Sequence, residues 1–300
     1  TVFRKDMIIS RCETYIKDAL KELFDMDLEL VVLDDTEIEA YRSSKKKPRF
    51  IEFNPQFTFD NFIVGNSNKF ANAAAVAVAE KPADSYNPLF IYGPSGVGKT
   101  HLLYAVINYI RKNHPTQKIV YKKSEEFINE LIASISTGTT QAFKAKYRSA
   151  DILLIDDIQF IAGKESTQEE FFHTFSSLYE AEKQIILTSD RPPKDIRPLE
   201  DRLRTRFEGG LIADVQPPSF ELRTAIISKK SEDMGMEIPP EMINYMAERL
   251  QNNIRQIEGV LKKLYAFVSL AKGTISKEKI DEIISIIDPG NIPASVMVER

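Results

Sequence analysis

Residues 93–100 read GPSGVGKT, and residues 152–157 read ILLIDD. The first stretch has the spacing G-x-x-x-x-G-K-T, with Gly93, Gly98, Lys99 and Thr100 at the fixed positions. Glycines let such a loop wrap so that its backbone N–H groups face inward onto phosphate oxygens. A helix opening behind the loop adds the positive end of its dipole. Lys99 is then expected to reach the β- and γ-phosphates of a nucleoside triphosphate, and the Thr100 hydroxyl to ligand Mg2+. The second stretch poses an electrostatic problem, because adjacent carboxylates repel and burying either is costly without a cation. A magnesium ion carried with the nucleotide supplies that cation. Asp156 is expected to hold the metal through water, and Asp157 to orient or activate the attacking water.

Three further places are read with two alternatives each. The stretch LTSD ends a strand, and its polar end, with Asp190 foremost, falls near the γ-phosphate or is an ordinary turn before RPP. In LEDRLRTRFEGG, Arg202 and Arg206 are four apart and share one face if the segment is helical. They either stabilise charge in phosphoryl transfer, in cis or from a neighbour, or form a solvated basic face paired with Glu200, Asp201 and Glu208. Arg255, early in a later helix, is a surface arginine or a lid residue that couples nucleotide state to domain angle.

These residues need a scaffold. Strand patterns (PLFIYG, KIVYKK, DILLIDD, QIILTSD, LIADVQPP) alternate with helical ones (NKFANAAAVAVAEKP, KTHLLYAVINYIRKN, SEEFINELIASIS, STQEEFFHTFSSLYEAEK). Such alternation predicts an α/β fold, a parallel sheet with helices on both faces, and places Asp156 and Asp157 at a strand's C-terminal end beside the nucleotide crevice. Ser124 reads as an N-cap, and Ser166 with Glu169 as a capping box. After Pro217-Pro218 strand signals stop and four helical patterns follow, predicting a smaller all-helical lid. The domains read as 1–35, a helix (9–23) and strand (28–33) too small to bury a core alone; 36–56, a charged linker; 57–217, the α/β nucleotide-binding domain; 218–288, the helical lid; and 289–300, a tail.

Composition narrows the class. The chain has 300 residues, 43% of them hydrophobic, and a net charge of −4, which argues against a dedicated duplex-DNA-binding domain. One cysteine, Cys12, excludes an internal disulfide, and the three scattered histidines form no HExxH pattern. No apolar run approaches membrane-spanning length, so the cytoplasm is the expected location.

The combination resembles the AAA+ ATPases and, more narrowly, the bacterial chromosomal replication initiators. The matching segments include FDNFIVGNSNKFANAAAVAVAEKP, GKTHLL, LLIDDIQFIAGKESTQEEFFHTF, DRPPKDI, LEDRLRTRFE and NNIRQIEGVLKKL, and run from about Phe57 to Val268. The resemblance implies ATP/ADP and Mg2+ as ligands and a fragment of a longer initiator. Lys99 and Thr100 become Walker A residues, with Gly96 and His101 added to the nucleotide contacts. Asp156 and Asp157 become Walker B, Asp190 sensor 1 and Arg255 sensor 2. Arg206 is the arginine finger on the next subunit's ATP, supported by Arg202, and Val64 and Gly65 line the adenine pocket. Ile132, Lys164 and Thr167 take the positions that contact single-stranded origin DNA. The stretch FRKDMIISRCETYIKDALKELF also resembles the end of that family's N-terminal interaction domain, and implied partners are further copies of the chain in a helical oligomer, and a replicative helicase and regulators through this incomplete N-terminal domain. Four departures stand out: Pro94-Ser95 replaces a glycine-rich cradle, Ser166 replaces a DNA-contacting arginine, Gly209 replaces an aromatic residue, and a C-terminal domain that reads duplex origin boxes is not expected in this sequence.

The resulting expectation is a DNA-replication initiator whose ATP form assembles on DNA and opens it, with a helicase loader or regulatory paralogue as the alternative. A P-loop small-molecule kinase and a non-hydrolysing scaffold stand further off. Asp157 is one methylene shorter than the glutamate of vigorous ATPases, and a misplacement near 1 Å can lower a rate about a hundredfold. Hydrolysis is therefore expected to be slow, as suits a switch.

Overall fold

The computed structural model describes residues 55–287 except Ser85 and Asn252. The helix and strand expected in 1–35, almost all of the linker and the 289–300 tail lie outside the described residues.

Five parallel strands form one sheet: β1 (Leu89–Tyr92), β2 (Ile119–Lys123), β3 (Ile152–Asp156), β4 (Gln184–Ser189) and β5 (Leu211–Asp214). Their order is β2-β3-β4-β1-β5. All residues of β3 and β4 are buried, as strands covered on both faces must be, whereas β2 and β5 are partly exposed edges. The register sets Leu89 beside Ile186 on one side and beside Leu211 on the other. The strand leading into the phosphate loop is therefore held between two neighbours.

Helices cover the sheet: α1 (Lys69–Glu80), α2 (Lys99–Asn113), α3 (Ser124–Ser136), α4 (Thr140–Arg148), α5 (Glu165–Glu180) and α6 (Asp201–Glu208). Alanines 71, 74, 75 and 79 form the buried face of α1 and allow it to approach α2 closely. On the other side the aromatic side chains of Phe90, Phe127, Tyr147, Phe171, Phe175 and Phe207 interlock in one apolar cluster. The lid consists of α7 (Phe220–Asp233), α8 (Pro240–Arg249), α9 (Ile254–Ala271) and α10 (Lys277–Ile287), around its own core of Ile227, Met246, Val260 and Ile284 among others.

Three local expectations change. Ser124 is the first residue of α3 rather than its cap, because its hydroxyl donates to the Asp156 carbonyl at 3.1 Å. The capping box at Ser166 does not form: α5 starts at Glu165 with Lys164 as its cap residue, so Ser166 lies inside the first turn. Helix α4 was not expected, although Phe143 and Tyr147, one turn apart, are its buried face.

Candidate nucleotide-binding site

The phosphate loop runs from the end of β1 into α2. Gly96 and Gly98 have φ of 80° and 106°, a conformation that side chains other than glycine rarely adopt. The loop curls around Lys99, whose ammonium donates to the carbonyls of Gly93 at 2.7 Å and Pro94 at 2.9 Å. Burial pushes the Lys99 ammonium below its ordinary range, opposed by Asp157, Asp156 and Asp190. Gly93 packs on Val215, where a Cβ would lie 2.1 Å from the carbonyl oxygen.

Asp156 is 1% exposed at the end of β3. Its Oδ2 accepts from Thr100 at 2.9 Å and from Tyr121 at 3.3 Å, and its Oδ1 accepts from Thr188. Thr188 also accepts the Asp157 N–H at 3.0 Å, so one hydroxyl ties both acids to β4. Asp157 has φ of 58°, and Gln159 donates to its carboxylate at 3.3 Å. Burial first, and then the Asp156 charge, push the Asp157 carboxyl upward. Burial and the same Asp156 charge push the Tyr121 phenol upward too. The pairing of Thr100 with Asp156 is the donor set expected for a metal that also binds phosphate. Among the described residues no three His, Cys, Asp or Glu side chains could hold a metal by themselves.

Asp190 follows β4, and its carboxylate grips Arg191 through two 2.8 Å hydrogen bonds, which hold it below the usual carboxylate range. The lid meets the loop directly. Arg255 donates to Ser95 at 3.0 Å, and the Ile254 N–H donates to Gly96 at 2.9 Å. Val64 and Gly65 line a cleft of 530 Å3 closed on the lid side by Ser219, Leu222 and Ala225. His101 lies one turn behind the loop. Its Nε2–H donates to the Thr58 carbonyl at 2.8 Å, its ring meets Phe57 and Phe62, and burial lowers its pKa.

The other expected residues lie apart. The segment carrying Arg202 and Arg206 is helical. Arg202 lies over Phe172 at 4.6 Å and pairs with Glu200, while Arg206 lies over Tyr179 at 5.6 Å. Together with Thr205 and Gly209 they line a separate 430 Å3 groove. Ile132 is 55% exposed on α3 and Lys164 is exposed before α5, whereas Thr167 is 5% exposed, its side chain turned inward. Sequence reasoning missed Thr188, Tyr121, Ser95 and Asn253, whose side chain lies against Gly96. The polar LTS ending of β4 was a signal for Thr188; a lone buried tyrosine carries none.

The family described as "Bacterial DnaA ATPAse domain" matches residues 53–214. A "Chromosomal replication initiator protein DnaA" from Caldanaerobacter subterraneus subsp. tengcongensis is 51% identical over 285 residues, 92% of this chain and 64% of that protein. The chain thus spans somewhat under two thirds of that relative's length. Domain III of the Thermotoga maritima replication initiation protein DnaA superposes with a TM-score of 0.75 at 41% identity, covering 78% of this chain and 97% of that one. A replication initiator DnaA bound to AMPPCP and single-stranded DNA superposes with a TM-score of 0.68 at 39% identity, over 79% of this chain and 73% of that one. The chain carries a P-loop AAA+ sheet with a smaller helical lid and belongs to the bacterial DnaA ATPase-domain family.

Proposed function

We propose that the chain is the ATP-controlled part of a replication initiator: with ATP it assembles on single-stranded origin DNA, and slow hydrolysis to ADP ends that state. The observation that carries the proposal is the 2.9 Å bond between Thr100 and Asp156, beside a loop wound around Lys99 and touched by the lid arginine. In this reading Lys99 and the loop N–H groups bind the phosphates, and Thr100 and Asp156 hold Mg2+. That ion would neutralise phosphate charge during transfer. Asp157 orients the water, Asp190 responds to the γ-phosphate, and Arg255 reports its presence to the lid. Val64 and Gly65 hold adenine. The relative bound to AMPPCP and single-stranded DNA supports both ligands for a protein of this family.

Arg206, with Arg202 beside it, acts on the ATP of a neighbouring copy. Ile132 and Lys164 contact the single strand, with Thr167 contributing once its inward side chain is rearranged. The proposed domains are 1–35 for helicase and regulator contacts, 36–56 as linker, 57–217 and 218–288 as core and lid, and 289–300 as tail. Among the described residues no helix is long and apolar enough to cross a membrane, and the proposed site of action is the cytoplasm.

Sedimentation velocity with ATP, ADP or no nucleotide, each with and without single-stranded DNA, tests the proposal. Assembly should require ATP and grow with DNA. Arg206→Ala should keep ATP affinity and lose assembly, an effect with no counterpart in a monomeric kinase. Identical sedimentation under all conditions would overturn the reading.

A further inference from the structure

Asn68 stands at the N-cap position of α1, where an asparagine side chain ordinarily accepts from first-turn N–H groups. It makes no such cap. The side chain is 4% exposed and turns back on the preceding segment: Oδ1 accepts the Gly65 N–H at 2.8 Å, and Nδ2 donates to the Ile63 carbonyl at 3.0 Å. Val64, between those two contacts, is 49% exposed and lines the cleft. Among the described residues, neither its N–H nor its C=O has a protein partner.

The N–H and C=O of a trans peptide point in opposite directions. With Ile63 C=O and Gly65 N–H both turned to Asn68, the two peptide units flanking Val64 must direct the Val64 N–H and C=O the other way. A flip of the 63–64 peptide would put the Ile63 carbonyl in place of the Val64 N–H. A flip of the 64–65 peptide would put the Gly65 N–H in place of the Val64 carbonyl, and glycine makes that flip sterically easy. Either flip exchanges a donor for an acceptor. Asn68 holds both peptides against it.

Purine bases differ in this same property. Adenine presents an acceptor at N1 and a donor at its 6-amino group, whereas 6-oxo purines present a donor at N1 and an acceptor at O6. With phosphates anchored on the loop, a base enters the cleft in one direction, so a 6-oxo purine would set like groups against Val64. We infer that Asn68 is a specificity-determining positioning residue: by locking both peptides around Val64 it fixes a donor–acceptor pair that accepts adenine and rejects 6-oxo purine nucleotides. The inference rests on the nucleotide reading above and adds the residue that sets its base preference.

Affinities of the 300-residue chain for ATP and ITP, which share sugar and phosphates, test it by calorimetry. The wild type should bind ATP at least roughly tenfold more tightly than ITP, the effect of one or two mismatched hydrogen bonds. Asn68→Ala should bring the two affinities together. Asn68→Asp, which keeps the acceptor for Gly65 but sets a carboxylate oxygen against the Ile63 carbonyl, should give an intermediate ratio and serves if the alanine variant does not fold. The ratio is the readout because a merely structural defect weakens both nucleotides alike. Equal affinities in the wild type, or an unchanged ratio in a variant that still binds ATP, overturn the inference. A folded wild-type chain that binds neither nucleotide instead sinks the nucleotide-site reading, and this inference with it.

Discussion

The guanidinium of Arg255 donates to the hydroxyl of Ser95 at 3.0 Å, joining the lid to the phosphate loop across 160 positions of sequence. The junction is tight. A Cβ on Gly96 would lie 1.9 Å from the Asn253 side chain, and φ at Gly96 is 80°. Gly96→Ala is therefore expected to cost about 1–3 kcal/mol of stability from strain at that backbone position, and to wedge the lid off the loop and so weaken ATP binding. Arg255→Ala removes one exposed contact and should change unfolding free energy by less than about 1 kcal/mol. Nucleotide titrations and denaturant melts separate the two.

Thr188 is fully buried and holds both site acids. Thr188→Val keeps the shape and removes the hydroxyl, leaving an oxygen of Asp156 and the N–H of Asp157 without their partner. The expected loss is about 1–3 kcal/mol of stability, with kcat falling roughly tenfold or more as the acids shift. Thr188→Ser should restore most of both. Single-turnover hydrolysis with bound ATP checks the rate, and wild-type turnover in the valine variant would refute the positioning role.

Asp157 offers a test in pH. Its carboxyl is raised above the ordinary value by burial and by Asp156. A carboxyl raised on folding stabilises the fold while protonated, and that contribution is lost as pH rises through its folded pKa. Near neutral pH, then, the charge disfavours the ligand-free fold. Asp157→Asn should raise Tm near neutral pH, and the gain should shrink below the ordinary carboxylate range. Asparagine also tolerates the positive φ of this position, but that benefit does not vary with pH. Hydrolysis in the same variant should fall sharply. A Tm gain equal at all pH values would remove the electrostatic explanation.

Lys164 is exposed one residue before α5. If it meets a phosphate of single-stranded DNA, Lys164→Ala should reduce the slope of log affinity against log salt by about 0.7, the share of one contact on a single strand. Ile132→Ser should weaken binding without changing that slope. Fluorescence anisotropy of a labelled oligonucleotide in the presence of ATP provides both numbers, and an unaltered slope for Lys164→Ala excludes that phosphate contact.

The parallel sheet was legible because β1, β3 and β4 are short apolar runs punctuated by glycine or acids, and the G-x-x-x-x-G-K-T spacing marks its loop without help from tertiary structure. The lid was legible from helical periodicity after Pro217-Pro218. Less legible were features that depend on partners distant in sequence. Ser124 looks like a cap until the carbonyl of Asp156 is placed above it. Tyr121 looks like a strand aromatic until its hydroxyl is found on Asp156. Thr167 and Ile132 have similar claims in sequence, yet one is buried and the other is not, because α5 turns its Thr167 face toward the core.

The strand order has a consequence for synthesis on the ribosome. The loop-bearing β1 lies between β4 and β5, both translated after β2 and β3. A nascent chain halted before β4 has its glycine loop but neither of the strands that flank β1, and one halted before α9 lacks the lid's arginine. Ligand capture should thus come late, as a reward for finishing the domain rather than a template for starting it, and stalled intermediates should gain little protection from ATP.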